Sequence, residues 1–254
     1  RFDYFNITLG SSSTTEGAVH IVPPMSIDPA YVAPYAAEVK RSTSRIILAT
    51  GRFNRPQDAE RALAAGQLDM VGMTRAQICD PEMASKAFSQ RADDIRVCIA
   101  CNQACIGHYA LGAPISCIQF PESGRELEYG NRITVDSSRE VLVVGGGPAG
   151  LKAAAVAADR GHQVTLYEKS KRLGGQVLLA QLLPERSEFG GIITNLEHEA
   201  RTAGVDIKLG SEITGDALRA SEADVIVIAS GATPHTPDIE ISDSANVVTA
   251  WEVI

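Results

Sequence analysis

The sequence predicts an α/β protein built on parallel strands, in two regions flanking a cysteine-rich loop. Three observations carry this. Short apolar strands alternate with helical patterns over residues 2–90, an order that makes a parallel sheet or barrel. A G-x-G-x-x-G run at 145–150 stands between a second strand and helix. Between these regions, four of the five cysteines fall in the pattern C-x2-C-x3-C-x11-C.

In chain order, residues 2–9 read as a buried apolar strand ending at Gly10, followed by a polar loop from Ser11 to Gly17 long enough to line a site. A helix is expected from Pro29 to Arg41, with Tyr31, Val32, Tyr35, Ala36 and Val39 on its apolar face. Residues 45–50 form a second strand, broken by Gly51. Pro56 suits the first turn of the next helix, and Gly66 stops it. Residues 69–73 are a third strand, and Pro81 opens a helix toward Gln90. Three strands are too few to close a barrel.

In such units the loops after the strands meet ligands. Gly51-Arg52 follows one strand and Met73-Thr74-Arg75 the next, so each strand end presents a small or flexible residue and an arginine. That combination suits a phosphate, which a guanidinium meets with charge and directed donors. The competing expectation is that Arg52 and Arg75 form surface ion pairs with Asp58 and Asp80.

Cys98, Cys101 and Cys105 lie within eight residues, and Cys117 returns from a loop turned by Gly107, Gly112 and Pro114. Four converging thiolates bind a cubane iron–sulfur cluster or tetrahedral zinc. Zinc sites usually pair two C-x2-C knuckles, so three crowded cysteines and one apart favour [4Fe–4S]. A disulfide framework is the weakest fit, since a chain of this size needs no staples. Cys79 stands alone and reads as a packed small hydrophobe.

Residues 121–140 have linker composition. The strand at 140–144 then runs into Gly145-Gly146-Gly147-Pro148-Ala149-Gly150 and a helix from Leu151 to Arg160; the next strand, 163–167, ends at Glu168, about 20 residues beyond the glycines. Gly145 permits a tight turn, Gly147 lets the backbone approach a pyrophosphate, and Gly150 allows close helix packing. Glu168 can accept from a ribose 2′-hydroxyl and would repel a 2′-phosphate, so FAD, NAD or ADP is expected rather than NADP. Further on, Gly174-Gly175-Gln176, a helix at 187–202, a strand at 205–209 and a buried strand at 224–230 fit the same doubly wound domain.

A chain of 254 residues with 44% hydrophobic and 21% charged content has room for one large or two ordinary domains. The formal charge of −8 argues against a nucleic-acid partner, which needs a basic face. There is no 18-residue apolar run to span a membrane. Clustered cysteines without a signal peptide suit a cytoplasmic location. The sequence reads as beginning and ending inside domains.

The order of Gly51-Arg52, Met73-Thr74-Arg75, the four-cysteine pattern, the 145–150 glycine run and Ala229-Ser230-Gly231-Ala232-Thr233-Pro234 resembles the NADH:flavin oxidoreductase family, in its 2,4-dienoyl-CoA reductase and trimethylamine dehydrogenase group of iron–sulfur flavoproteins. The resemblance covers essentially the whole chain. It implies the C-terminal part of a (β/α)8 barrel at 1–97, a [4Fe–4S] loop and linker at 98–139, and a Rossmann-like FAD- or ADP-binding domain at 140–254, cut before an NAD(P) domain. It also implies that Arg52, Thr74 and Arg75 hold the FMN phosphate, with Gly51 and Met73 beside it. Cys98, Cys101, Cys105 and Cys117 would ligate the cluster, and Ala149, Glu168 and Gln176 would contact the adenine dinucleotide. The first five barrel strands, with most flavin-ring contacts and the catalytic acid, are absent from these residues.

Within that group electrons run either from NADPH to an enoyl thioester or outward from an N-methyl group to an acceptor. The cysteine spacing is the reductase form, while Arg96-Val97-Cys98 and the stretch from Gly107 to Pro114 resemble the branch that demethylates N-methylated amino acids, which is the reading preferred. His20, beyond the first strand, could reach a substrate; a structural loop histidine is the stronger expectation. Expected partners are a small-molecule substrate, NAD(P)H or an electron-transfer flavoprotein, and an oligomer or assembly supplying the rest of the barrel. A non-catalytic electron-transfer subunit and a zinc-stabilised nucleotide module are the readings from other classes.

Overall fold

The structure, a computed structural model, describes residues 2–130, 134–240, 242 and 245–254. Residues 131–133 of the expected linker lie outside the described residues. The chain divides into two compact units, Arg1–Asn131 and Arg132–Ile254.

The first unit opens with β1 (Tyr4–Ile7), α1 (Thr15–Val19), α2 (Ala33–Arg41), β2 (Ile46–Thr50), α3 (Pro56–Ala64) and β3 (Met70–Gly72). α4 (Thr74–Cys79) and α5 (Met83–Phe88) follow. After the cysteine loop come two short turns of helix, α6 (His108–Ala110) and α7 (Glu126–Tyr129). The three strands are parallel in the order β1-β2-β3, with Tyr4 opposite Ile46 and Leu48 opposite Met70. Val32, Ala36, Ile47, Ala49, Phe53 and Leu68 form the core. Asp69 fastens it: its carboxylate accepts from the Ile47 amide at 2.9 Å and from Lys40 at 2.6 Å.

Several sequence expectations change here. The first strand is not buried: Tyr4 and Phe5 are exposed, because β1 is a sheet edge among the described residues, and of the stretch 2–9 it is Ile7 and Leu9 that pack on the core. The Pro29 helix starts at Ala33, since Ala30 takes the left-handed backbone (φ 57°) and donates its amide to the Arg52 carbonyl at 3.0 Å. Tyr35 is 53% exposed rather than part of the apolar face. The polar loop after Gly10 contains α1, whose first turn is capped by the Thr14 hydroxyl accepting from Gly17 at 3.0 Å. The helix expected from Pro81 is preceded by α4, and Asp80 separates the two by taking an extended conformation.

The second unit contains β4 (Glu140–Val144), α8 (Pro148–Asp159), β5 (Gln163–Glu168), α9 (Val177–Ala180), α10 (Gly190–Thr202), β6 (Asp206–Leu209), α11 (Gly215–Arg219), β7 (Val225–Ile228) and α12 (Ala250–Val253). The strands are all parallel, ordered β6-β5-β4-β7. Helix α8 begins at Pro148, three residues before the expected start, because proline suits the first helical turn. Its Leu151, Ala154 and Ala155 are buried, and so are Ile192, Ile193, Leu196 and Ala200 of α10, which packs on it; Lys152 meets Glu199 at 3.3 Å across the pair. The last strand is only half buried: Ile226 and Ile228 are exposed because β7 is a sheet edge among the described residues. No helix among the described residues is long and apolar enough to cross a membrane.

Candidate functional site

Gly51 and Arg52 leave the end of β2, and Met73, Thr74 and Arg75 leave the end of β3, because parallel strands deliver their following loops to the same sheet end. All five line one cavity of about 350 Å³, joined by Ile21, Val22 and Asn54, and by Cys105 and Tyr109 from the cysteine loop. At Gly51 any Cβ would sit 2.8 Å from the Val32 side chain, so glycine alone fits β2 against the segment entering α2. Arg52 is 4% exposed, adopts φ 49°, and donates to the Ile27 carbonyl. It is thus a buried side chain rather than a surface one. Arg75 does not pair with Asp80: Asp80 binds Lys86 at 2.7 Å, and the Arg75 guanidinium donates to Asn102 Oδ1 at 2.5 Å. Asp58, for its part, accepts from Arg61.

His20 terminates α1, and its ring lies 5.7 Å from that of Tyr31, whose hydroxyl donates to the His20 carbonyl at 2.5 Å. Its neighbours Ile21 and Val22 line the strand-end cavity, and its Nδ1 is buried without a hydrogen-bond partner.

The cysteine loop is a tight coil. Ala100 and Asn102 take left-handed conformations (φ 50° and 59°), and residues Gln103–Gly107 wind as one π-type turn. The return segment is held where the Ser116 amide donates to the Ala104 carbonyl at 2.8 Å. The result brings Cys98, Cys101, Cys105 and Cys117 to the wall of one small cavity, which Arg75 also lines. All four are free thiols. Backbone amides point at the sulfurs: Ala100 donates to Cys98 Sγ at 3.4 Å, Gln103 to Cys101, and Gln119 and Phe120 to Cys117. Burial pushes Cys98 up to about 11 and raises Cys101. A hydrogen bond with Cys79 lowers Cys117 to about 6 against its burial, and the same bond raises Cys79.

The chemistry of this donor set can be tested against the two metal centres the spacing allows. A single zinc draws its sulfurs to about 2.3 Å from one point. Among the described residues no three Cys, His, Asp or Glu side chains converge in that way. Four thiols spread around a cavity, each within a loop that offers amide donors, fit the larger cubane, whose sulfurs take hydrogen bonds.

In the second unit, Gly145 turns the chain at φ 108°, where a Cβ would meet the Ala229 carbonyl at 2.3 Å. Gly150 packs so closely that a Cβ would lie 1.9 Å from the Gly145 carbonyl oxygen. Gly147 is open, its nearest prospective contact being Gly175 Cα at 3.9 Å. Glu168 ends β5 and accepts from the Gly146 amide at 2.7 Å and the Ser170 amide at 2.8 Å. Burial pushes its carboxyl up, but these bonds outweigh it and hold it below the ordinary glutamate range. Gln176 donates to the Ala232 carbonyl at 3.1 Å, beside Gly231. The chain leaves β4 toward β5 on one side and reaches β7 on the other, so these loops gather where the strand order reverses, the place where open parallel sheets bind ligands. Ala149 is set apart from them: it lines a hollow between α8 and β7 with Val141 and Val225.

Sequence reasoning missed Asn54, whose side chain donates to the Cys98 carbonyl at 2.8 Å, and Gln119, whose side chain donates to Cys79 Sγ at 3.4 Å; neither has a local signal. Asn102 had one, since asparagine between cysteines is a residue suited to a left-handed turn.

Residues 12–94 match the model of the NADH:flavin oxidoreductase / NADH oxidase family, and residues 139–252 that of the pyridine nucleotide-disulphide oxidoreductases. The chain is 38% identical to a metal reductase of Desulforamulus reducens, over 91% of this chain and 35% of that protein. It is 35% identical to a probable N-methylproline demethylase of Rhizobium meliloti, over 99% of this chain and 37% of that one. Among solved structures, a 2-naphthoyl-CoA reductase in complex with 2-naphthoyl-CoA superposes with a TM-score of 0.87 at 33% identity, over 94% of this chain and 36% of that one. The chain thus spans a little over a third of the length of each of these relatives. It belongs to the NADH:flavin oxidoreductase / NADH oxidase family through residues 12–94, and carries a pyridine nucleotide-disulphide oxidoreductase domain at residues 139–252.

Proposed function

We propose that this chain is the cofactor-coupling part of an iron–sulfur flavoprotein that oxidatively demethylates an N-methylated amino acid or amine. The observation that carries this is Arg75, which lines both the strand-end cavity and the four-cysteine cavity. Two cradles of different chemistry, one for an anion and one for a thiolate-bound metal centre, therefore share a wall. Arg52, Thr74 and Arg75 would hold the phosphate of FMN with Gly51 and Met73 beside it. Cys98, Cys101, Cys105 and Cys117 would hold a [4Fe–4S] cluster. Gly145, Gly147, Gly150, Glu168 and Gln176 would take FAD or ADP, with Ala149 at the edge of that site. When bound, FMN would accept a hydride from the substrate and the cluster would carry single electrons toward the second nucleotide. The chain's own contribution is to orient these groups, solvate their charge and exclude water. Residues 1–97, 98–139 and 140–254 would be the barrel, cluster and nucleotide portions.

The likeness to the N-methylproline demethylase over nearly the whole chain supports the outward direction of electron flow. The likeness to a metal reductase and a 2-naphthoyl-CoA reductase supports the opposite one, an NAD(P)H-dependent reductase acting on an enoyl or aryl thioester. An anaerobic titration of the cofactor-loaded holoprotein separates them. Bleaching of flavin and cluster absorbance by dimethylglycine or N-methylproline, with NADPH inert, is the expected result. Bleaching by NADPH alone would replace the demethylase by the reductase. Bleaching by neither would leave a non-catalytic electron carrier.

A further inference from the structure

Asn54 joins the strand-end cavity to the cysteine loop. It is 5% exposed, stands two residues beyond Arg52, and is among the residues that line the strand-end cavity. Its Nδ2 donates to the Cys98 carbonyl at 2.8 Å, across 44 positions of the chain. Cys98 lines the four-cysteine cavity and not the strand-end one. That bond fixes how the side-chain amide is turned. A carbonyl can only accept, so the nitrogen must face Cys98, and Oδ1, on the other branch of the planar amide, is directed elsewhere. Oδ1 has no partner among the described residues, yet it is not one of the buried atoms sealed off without one. It therefore reaches open space, and the open space that Asn54 borders is the strand-end cavity.

What can meet Oδ1 follows from its chemistry. An amide oxygen accepts and cannot donate. A phosphate dianion also only accepts, so Oδ1 repels the oxygens that Arg52 and Arg75 would attract. Its partner must then be an O–H or N–H of the same ligand, a few atoms from the phosphate. In FMN the donors nearest the phosphate are the hydroxyls of the ribityl chain, while the ring N–H lies at the far end of the molecule. We propose that Asn54 is a binding residue: its Oδ1 accepts a hydrogen bond from a ribityl hydroxyl of FMN while its Nδ2 holds the amide in place on Cys98. The inference rests on the assignment of the strand-end cavity to FMN. Asn54 thereby lets the site tell a phosphorylated polyol from a bare phosphate, which the arginines alone do not.

The test titrates the flavin-depleted holoprotein, parent and Asn54→Leu, with FMN and with analogues lacking the 2′-, 3′- or 4′-hydroxyl of the ribityl chain, followed by quenching of flavin fluorescence. In the parent at least one analogue should bind roughly threefold to tenfold more weakly than FMN, the loss of one neutral hydrogen bond. In Asn54→Leu that penalty should vanish, because FMN itself weakens to the level of the analogue. If Asn54→Leu does not fold, Asn54→Ala, which leaves room for a water on the Cys98 carbonyl, is read in the same way. A parent that takes up no FMN would sink the cavity assignment and this inference together. A parent that binds FMN and all the analogues equally would sink this inference alone. So would a hydroxyl penalty that persists unchanged in the variant, since the hydroxyl would then have another partner.

Discussion

Arg75 and Asn102 share a 2.5 Å hydrogen bond that ties the end of β3 to the middle of the cysteine loop. Asn102 completes the tie by donating its side-chain amide to the Val22 carbonyl at 2.8 Å, and its own left-handed backbone places it between Cys101 and Gln103. One guanidinium thus places its charge in the strand-end cavity and fixes the geometry of the cysteine loop. Arg75→Lys keeps the charge but loses the fork that reaches Asn102. The fork would also meet the FMN phosphate, and a charge-assisted hydrogen bond lost there is worth about 1.5–3 kcal/mol, so FMN should bind roughly tenfold to a hundredfold more weakly. Asn102→Ala should leave FMN binding closer to normal and lower iron retention instead. Flavin affinity by fluorescence quenching and iron content on the same samples check both outcomes; equal loss of both in each variant would mean general unfolding.

The glycines of the second unit make opposite demands. Gly150→Ala puts a methyl group against a backbone carbonyl that cannot move aside, and should destabilise the unit by about 1–3 kcal/mol or more. Gly147→Ala meets nothing closer than 3.9 Å and leaves the backbone at φ −78°, which alanine adopts freely. It should change stability by less than about 1 kcal/mol. Its Cβ would occupy the space a pyrophosphate needs, so ADP or FAD affinity should fall at least about tenfold. Urea unfolding paired with nucleotide titration separates the two positions. Normal nucleotide binding by Gly147→Ala would place the phosphates elsewhere.

Much of this was legible in the sequence because it depends on short-range chemistry. Proline at the first turn of α3 and α8, alternation of strand and helix, and the glycine spacing at 145–150 each act within a few residues. The strand ends at Gly51-Arg52 and Met73-Thr74-Arg75 could be aligned for the same reason, since parallel strands leave their loops at one end. What escaped is set by contacts distant in the chain. The late start of α2 follows from a bond between Ala30 and Arg52, and the exposure of β1 and β7 from their places at sheet edges. The Cys79–Gln119 and Asn54–Cys98 contacts join residues 40 and 44 positions apart, and nothing in the local sequence marks them.

Glu168 makes a prediction about pH. Its folded-state pKa is depressed because the carboxylate, though penalised by burial, accepts from the Ser170 and Gly146 amides. A depressed carboxyl contributes stability that is fully present above the unfolded value, about 4.3, and is lost as pH falls from there through the lower folded value. The second unit should therefore weaken on acidification across that interval. Glu168→Gln should be less stable than the parent at neutral pH, yet flatter in this acidic window. The same substitution removes the charge that opposes a 2′-phosphate, so discrimination against 2′-phosphorylated adenine nucleotides should narrow. Denaturant midpoints at stepped pH, with ADP and 2′-phospho-ADP ribose titrations, check the two effects. An unchanged acid slope in Glu168→Gln would assign the pH dependence to other carboxyls.

Asp80 is a buried carboxylate that organises the approach to the cysteine loop. It is 1% exposed and receives Lys86 at 2.7 Å, the Glu82 amide at 3.1 Å and the Arg96 amide at 2.9 Å. Removing one partner of such a pair strands a charge and two amides in the interior, a loss of about 3–5 kcal/mol. Asp80→Ala should fall in that range by urea unfolding. Asp80→Asn, which can still accept from an amide, should lose less. Adding Lys86→Met to Asp80→Ala should recover part of the loss, because the stranded ammonium goes with it. Arg96 lies two residues before Cys98 and also places its guanidinium 4.6 Å over the Phe120 ring, three residues after Cys117. Freeing its amide therefore loosens both arms of the thiol cradle, and Asp80→Ala should retain less iron than Asp80→Asn at equal folded fraction. Equal iron in the two variants would confine Asp80 to stability and remove it from the organisation of the metal site.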